Sequence, residues 1–457
     1  MVLAFCLKYY RFMMFNREEL IEAAGAECLK GCGNSEKFRI STDTRTIQKG
    51  DIYLPLKGAN FDGEKFIDNA LNAGAAGYFT TSGIINNNAE IILKVDNTLN
   101  AYLNIAKYYR KKINPLTVAI TGSSGKTTTK EMVYSVLSQK FKTQKTFSNH
   151  NNEIGFCQTV LGMEPDTEAL IVEMGMRGLG EIELISTHLK PDMAIITNSG
   201  SAHVGRLGSL DNIAIAKCEI VSGLRPDGLI AAKNQEIIKK HLKFNGSKVF
   251  YSIDDVKVID KKPSYSKFEY KGEIYELNVE GDYNIENSLS AIEIGFNAGL
   301  NAEQIKAGLL SYKPIEKRWE VENISGIKII NDSYNANPDS MKASVKTFVE
   351  LYENPVLVLG NMGELGENEV LYHRQVGEYL AKLNKSAKYL VVGNLGKEIG
   401  IELEKSDIEV HYFENNNDVA DWITKNFSEG ETLFLKASRS MKFEEIIENI
   451  KNKRGIN

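Results

Sequence analysis

Five cysteines in 457 residues (Cys6, Cys28, Cys32, Cys157 and Cys218) are too few, and odd in number, for a disulfide scaffold, and they fit a reducing compartment. Cys28 and Cys32 stand close together, but no second pair or neighbouring histidine completes a zinc set. Glycine (37) and proline (9) make up about a tenth of the chain, which excludes a fibrous or low-complexity protein. No apolar stretch reaches the roughly 18 residues of a membrane span. The opening MVLAFCLKYYRFMMF comes nearest, yet Lys8 and Arg11 interrupt it and no small-residue cleavage site follows. Translation from Met14 is the plainer reading of that segment. A formal net charge of -5 argues against a general nucleic-acid binder. It leaves room for anionic small molecules, because a local cluster of donors binds phosphate even on an acidic protein. These absences describe a cytoplasmic protein with no nucleic-acid partner and no membrane partner.

What is present is ordinary globular composition, 42% hydrophobic and 25% charged, at a length suited to about three domains. Residues 14 to 100 read as a compact mixed unit, with strand and turn over 47–59 and a helix over 66–76. An amphipathic helix near 99–111 leads to Asn114-Pro115, a turn signal. From Leu116 short apolar runs at 117–121, 169–173 and 193–197 alternate with helical patterns at 127–137 and 213–224. That alternation calls for a parallel sheet with crossover helices. Hairpins are expected over 251–280 and a helix over 287–298. After the link 311–318, strand candidates at 327–330, 356–359, 389–392 and 432–435 again alternate with helices. The expected fold is α/β in three parts: a small mixed domain (1–112), a central P-loop parallel-sheet domain (113–314) and a Rossmann-like domain (315–457).

The strongest local signal is TVAITGSSGKTTTKEM, where a strand runs into Gly122, Ser123, Ser124, Gly125, Lys126 and Thr127 and a helix begins at once. Glycines let backbone N–H groups turn onto phosphate oxygens, the helix start adds its positive dipole end, and the lysine reaches the outer phosphates. Thr127 then stands where its hydroxyl can meet Mg²⁺. Ile120 occupies the place of the first glycine in the common G-x-x-x-x-G-K-[ST] spacing. Such a loop serves kinases, switch GTPases, ATPases and ligases alike. The next strand ends in Glu173, and an acid there faces the phosphates and suits a metal. His203, after the third strand, reads equally as a loop histidine or a ligand. Lys217 sits among Ile213, Ala216 and Ile220, and is either a lysine snorkelling to water or a desolvated one with a lowered pKa.

The pieces TGSSGKTTTKEM, EMGMRGLGE and NSGSAHVGRLGSLDNIAIAKCEI, in that order, resemble the Mur ligase family, ATP-dependent amide ligases that build the peptidoglycan stem peptide. The resemblance runs from residue 40 to 442. NHNNEIG, NDSYNANPDSM, LGNMGELGE and LKASRSMKFE are similar to the member that adds D-alanyl-D-alanine to UDP-N-acetylmuramoyl-tripeptide. STDTRTIQKGDIYLPLKGANFDGEKF resembles the uridine-nucleotide module that this member shares with the ligase adding the third residue. The latter's D-N-P-R motif is absent.

The resemblance implies ATP and Mg²⁺ as cofactors, a monomer, and roles in cell-wall biogenesis, cell shape and division. It assigns Gly122 to Thr128 to the nucleotide, with Lys126, Lys217, His203 and Arg318 catalytic. Thr127, Glu173, His203 and Lys217 (as a carbamate) would hold metal. Asn284, Asn287, Arg318 and Asp332 would contact the nucleotide. Thr44, Arg45, Lys57 and Asp62 would lie near the UDP-sugar. Asn149, Asn151, Asn152, Tyr334, Asn335 and Asn337 would face the peptide partners. Tyr283, Asn361 and Ala437 depart from the family pattern, where histidine, aspartate and glycine are usual. Competing readings are another amide ligase of the same architecture, such as a third-residue or folate-glutamate ligase, and a nucleotide-gated switch protein.

Overall fold

The computed structural model describes residues 14–454 apart from 32–36, 59, 316, 325, 384–385 and 429. The opening segment and Cys32 therefore lie outside the described residues. Cys28 is disulfide-bonded, a cross-link the reading of the cysteines did not anticipate, whereas Cys157 and Cys218 are free and buried.

The central sheet carries six parallel strands in the order Thr143–Lys145, Ala169–Glu173, Leu116–Thr121, Met193–Ile196, Leu229–Lys233, Ser247–Tyr251. Its inner strands are mostly apolar because both faces are covered, as parallel sheets require. Side chains alternate between two cores: Ala119, Leu170, Val172, Ala194 and Ile196 enter one, Val118, Ile120, Ile171 and Ile195 the other. The second core is closed by helices Lys126–Leu137, Asp282–Asn297 and Ala302–Ser311. Strand Leu116–Thr121 lies between Ala169–Glu173 and Met193–Ile196, so the chain reverses direction across the sheet beside it. Crevices of this kind at strand carboxyl ends are where such sheets take ligands.

The first core does not stop at the expected boundary near residue 112. It runs on into Phe15, Phe38, Ile52, Phe79 and the helix Thr98–Ile113. Tyr109 donates its hydroxyl to Met163 O at 2.9 Å, and Arg110 reaches Thr117 Oγ1 at 2.9 Å. The N-terminal sheet, ordered Glu27–Lys30, Ile91–Lys94, Gly77–Thr80, Ile52–Tyr53, Ile40–Ser41, is thereby fixed to the central one. Its Glu27–Lys30 edge is antiparallel and the rest parallel.

The C-terminal sheet is ordered Glu320–Ile324, Ile327–Asn331, Thr432–Lys436, Pro355–Leu359, Lys388–Val392, Val410–Phe413. Only its first pair is antiparallel. The expected hairpins over 251–280 are the antiparallel strands Lys257–Lys262, Tyr265–Tyr270 and Glu273–Leu277. The helix expected at 287 begins earlier, at Asp282. The helix expected over 66–76 is shorter, a 3₁₀ turn followed by Ile67–Asn72.

Candidate active site

The phosphate loop forms where strand Leu116–Thr121 ends. Gly122 has φ 155°, and a Cβ there would collide with Thr197 Oγ1, so no side chain fits. Thr197 Oγ1 in turn donates to Ser124 O at 2.6 Å. The amides of Ser123 and Ser124 donate to Asn198 Oδ1 at 3.0 and 2.9 Å. These two amides thus serve the neighbouring strand end. No side chain caps the start of helix Lys126–Leu137, which leaves its first amides free to donate to an anion. Lys126 Nζ folds back to donate to Gly122 O at 2.7 Å, and Asn287 packs against Gly125.

Beside the loop, Glu173 is 3% exposed at its strand end. Its Oε1 lies 3.3 Å from Thr127 Oγ1 and 3.1 Å from Asn151 Nδ2, while Oε2 is buried with no hydrogen-bond partner. Burial pushes this carboxyl up, but Lys130, Lys126, Arg318 and the Asn151 hydrogen bond outweigh it and hold it below its ordinary value. Lys126 is held low by burial, against the pull of Glu173. Lys217 is fully buried and its Nζ has no partner. Burial, then the charge of Lys126, places its amine well below the ordinary lysine value, as the desolvated reading expected. His203 has φ 67° at the start of the turn Val204–Leu207, and its Nδ1 lies 2.5 Å from Glu364 Oε2.

Glu173 and the Thr127 hydroxyl beside it are oxygen donors of the kind Mg²⁺ takes, whereas the Lys217 amine would suit that hard cation only once converted to a carbamate with oxygens of its own. Among the described residues there is no cluster of three or more histidine, cysteine or acidic side chains, so a metal here would draw on the hydroxyl and a modified lysine as well.

The opposite wall comes from the C-terminal sheet. Arg318 lies over the Tyr334 ring at 3.9 Å. Asp332 takes Lys436 Nζ at 2.5 Å and Ser344 Oγ at 2.8 Å, and Lys436 is 3% exposed. Asn337 caps helix Pro338–Leu351, whose Asp339 accepts from Ser201 N and Oγ at 2.9 and 3.1 Å. The two walls enclose a cavity of about 900 Å³. Of the residues singled out in the sequence, Ser123 to Thr128, Glu173, His203, Asn284, Asn287, Arg318, Asp332, Asn149, Asn151, Asn152, Tyr334, Asn335 and Asn337 line it.

Gly122 and Lys217 do not line the cavity. Asn152 and Asn337 are also helix caps, an ordinary structural use of asparagine. Asn284 gives its amide to Glu280 O at 2.7 Å. Thr44, Arg45, Lys57 and Asp62 do not line the cavity. Arg45 pairs with Asp43 at 2.7 Å and Lys57 with Asp62 at 3.6 Å, both beside Tyr53. Burial, with Asp43 and Asp62 nearby, pushes that phenol up to about 12.

Sequence reasoning missed Lys130, Asn198, Asp339, Glu364 and Lys436. Only Lys130 carried a usable signal, since it falls one helical turn after Lys126 and on the same face. The departures from the family pattern have structural homes. Tyr283 packs on Trp319 with ring centres 6.0 Å apart, and Asn361 Oδ1 accepts from Leu395 N and Gly396 N at 3.1 and 2.9 Å. Ala437 is fully buried beside Gly360.

Residues 120–295 match the Mur ligase middle domain, 317–439 the Mur ligase glutamate ligase domain, and 39–111 the Mur ligase family catalytic domain. The chain is 36% identical over 447 residues to the UDP-N-acetylmuramoyl-tripeptide–D-alanyl-D-alanine ligase of Bacillus subtilis, covering 93% of this chain and 97% of that one. It is 30% identical to the protein of the same name from Escherichia coli, covering 89% and 92%. A crystal structure of MurF from Acinetobacter baumannii superposes with a TM-score of 0.87 at 26% identity, covering 96% of this chain and 99% of that one. A MurF ligase from Thermotoga maritima in complex with ADP shares the fold at TM-score 0.81 and 24% identity, covering 91% and 97%. With the phosphate loop, Glu173 and the facing C-terminal wall in place, this chain belongs to the Mur ligase family.

Proposed function

We propose that the protein joins D-alanyl-D-alanine to the terminal carboxylate of UDP-N-acetylmuramoyl-tripeptide, with ATP converted to ADP and phosphate. The observation that carries this reading is the single cavity: phosphate loop and Glu173 on one wall, Arg318, Asp332, Asn335 and Lys436 on the other. The substrate carboxylate attacks the γ-phosphate, giving an acyl phosphate and ADP. The dipeptide amine then attacks the acyl carbon and phosphate leaves. Three anionic groups meet in this sequence, so positive charge has to be fixed at their meeting point before reaction.

Lys126, the uncapped helix start and Arg318 supply that charge from this chain, with the guanidinium oriented by its seat on Tyr334. Mg²⁺ would be held by Thr127, Glu173, His203 and Lys217 as a carbamate, and adds neutralising charge at the phosphates. Carbamylation needs an unprotonated amine, and the burial that lowers Lys217 favours one. Asn284 and Asn287 serve the nucleotide, and Tyr334, Asn335 and Asn337 face the dipeptide. Asn149, Asn151 and Asn152 orient the acyl end. Thr44, Arg45, Lys57 and Asp62 hold the UDP-sugar. In this reading the chain divides by task at 1–112, 113–314 and 315–457, and works in the cytoplasm. No helix among the described residues is long and apolar enough to cross a membrane.

The test is phosphate release from Mg·ATP with the two substrates added singly and together, the tripeptide offered with lysine or with diaminopimelate as its third residue. Release that needs both, with pentapeptide product by mass, is the expected outcome. Release that proceeds equally well with free glutamate or without a sugar nucleotide would replace this reading with a different ligase or an ATPase.

A further inference from the structure

Lys130 has no role in the reaction as described, yet it is one of the largest fully buried side chains in the protein, at 1% exposure. Its ammonium sits 3.4 Å from Glu173 Oε2 and 3.5 Å from Glu131 Oε1. Glu131 is itself paired with Lys145, whose ammonium also lies over the Tyr134 ring at 3.8 Å. A row of alternating charges thus runs inward from Lys145 through Glu131 and Lys130 to Glu173. Each carboxylate is held from both sides: Glu173 Oε1 by Thr127 and Asn151, Glu131 by the two lysines. Glu173 Oε2 is buried without a hydrogen bond, and it is the atom the Lys130 ammonium faces.

A buried ammonium that close to a carboxylate oxygen neutralises it across a poorly screened gap. It also opposes any second cation arriving at the same oxygen, and Lys130 cannot swing out to solvent to make room. The oxygen is therefore kept ionised yet unattractive to a lone divalent ion. Polyphosphate bound at the adjacent helix start would reverse that balance by adding negative charge on the open side.

We infer that Lys130 is a positioning residue that makes divalent-cation binding at Glu173 depend on nucleotide. The inference rests on Glu173 being a metal-side group, as proposed above. Its test is Mn²⁺ binding followed by the electron paramagnetic resonance of free Mn²⁺, with and without ADP, in the whole protein. Lys130→Met is expected to tighten Mn²⁺ binding in the absence of nucleotide by about tenfold or more, because an opposing charge is lost. Lys130→Arg keeps the charge and is expected to match the wild type. Folded Lys130→Met with unchanged or weaker nucleotide-free binding would overturn the inference.

If Lys130→Met does not fold, Glu131→Gln replaces it. That change leaves Lys130 only Glu173 to neutralise, and nucleotide-free binding is expected to weaken by about threefold. Unchanged or tighter binding would overturn the inference. Wild-type protein that takes up no Mn²⁺ even with ADP would instead remove Glu173 from the metal site, and this inference with it.

Discussion

The amine of Lys217 lies in the helix Leu210–Cys218 with neither a hydrogen-bond partner nor any exposed surface. Its folded pKa is depressed, so above that value the unfolded chain binds the extra proton and stability rises with pH. The penalty is largest below the depressed folded value, declines as pH rises above it, and vanishes as pH passes the ordinary value of 10.5. Lys217→Met is therefore expected to stabilise the protein in bicarbonate-free buffer by more than about 1 kcal/mol at neutral pH. The gain should shrink as the solution is made alkaline, and paired thermal melts across that range check it. Turnover should be lost in the same variant and partly restored by formate or acetate in Lys217→Ala, where the space is open. Gly122→Ala meets a harder limit, since its Cβ has nowhere to go beside Thr197. ADP affinity measured by calorimetry should fall by at least about tenfold as the loop is forced aside.

At the scale of elements, the loop is shaped by the strand beside it as well as by its own glycines. Asn198 accepts two loop amides and gives its Nδ2 to Ser124 Oγ at 2.8 Å. Asn198→Ala removes these bonds, each worth about 1 kcal/mol, and is expected to raise the ATP KM by about tenfold with a smaller change in kcat. An equal KM would mean that the loop keeps its shape unaided.

That partnership marks how far the sequence could be read. Strand, loop and helix at 117–137 were legible because they are local: apolar run, glycines, lysine, then helical spacing. The placing of Glu173 followed from the rule that ligands gather at strand ends. Asn198, Asp339 and Lys436 were not legible, because what they do depends on which strands become neighbours. No spacing along the chain reports that Thr432–Lys436 inserts between Ile327–Asn331 and Pro355–Leu359. The core shared across residue 112 was hidden for the same reason. Asn114-Pro115 does end a helix, as its turn signal suggested, yet that helix packs beyond the turn through Tyr109 and Arg110.

For the molecule as a whole, the cavity exists only while the C-terminal sheet is seated on the central one. The contacts that hold that seat near the site include Tyr283 on Trp319, Asp339 on Ser201, Glu364 on His203 and Arg206, and Gly205 against Gly366. At the last point the two backbones touch so closely that a Cβ on Gly205 would meet Gly366 N. Gly205→Val is expected to hold the sheets apart, leaving ADP binding within about threefold of wild type while turnover drops at least about a hundredfold. Small-angle scattering should show a larger radius of gyration for the variant. Unchanged scattering with normal turnover would mean that the seat at Gly205 is not needed for catalysis.

The cavity's two walls have a pharmacological corollary. A small molecule that touches Asn287 on one side and Lys436 on the other would act as a clasp. Its residence time would be governed by how often the protein opens rather than by the strength of either contact alone. Screening by dissociation rate would rank such compounds above those that occupy the nucleotide wall only, even at equal affinity.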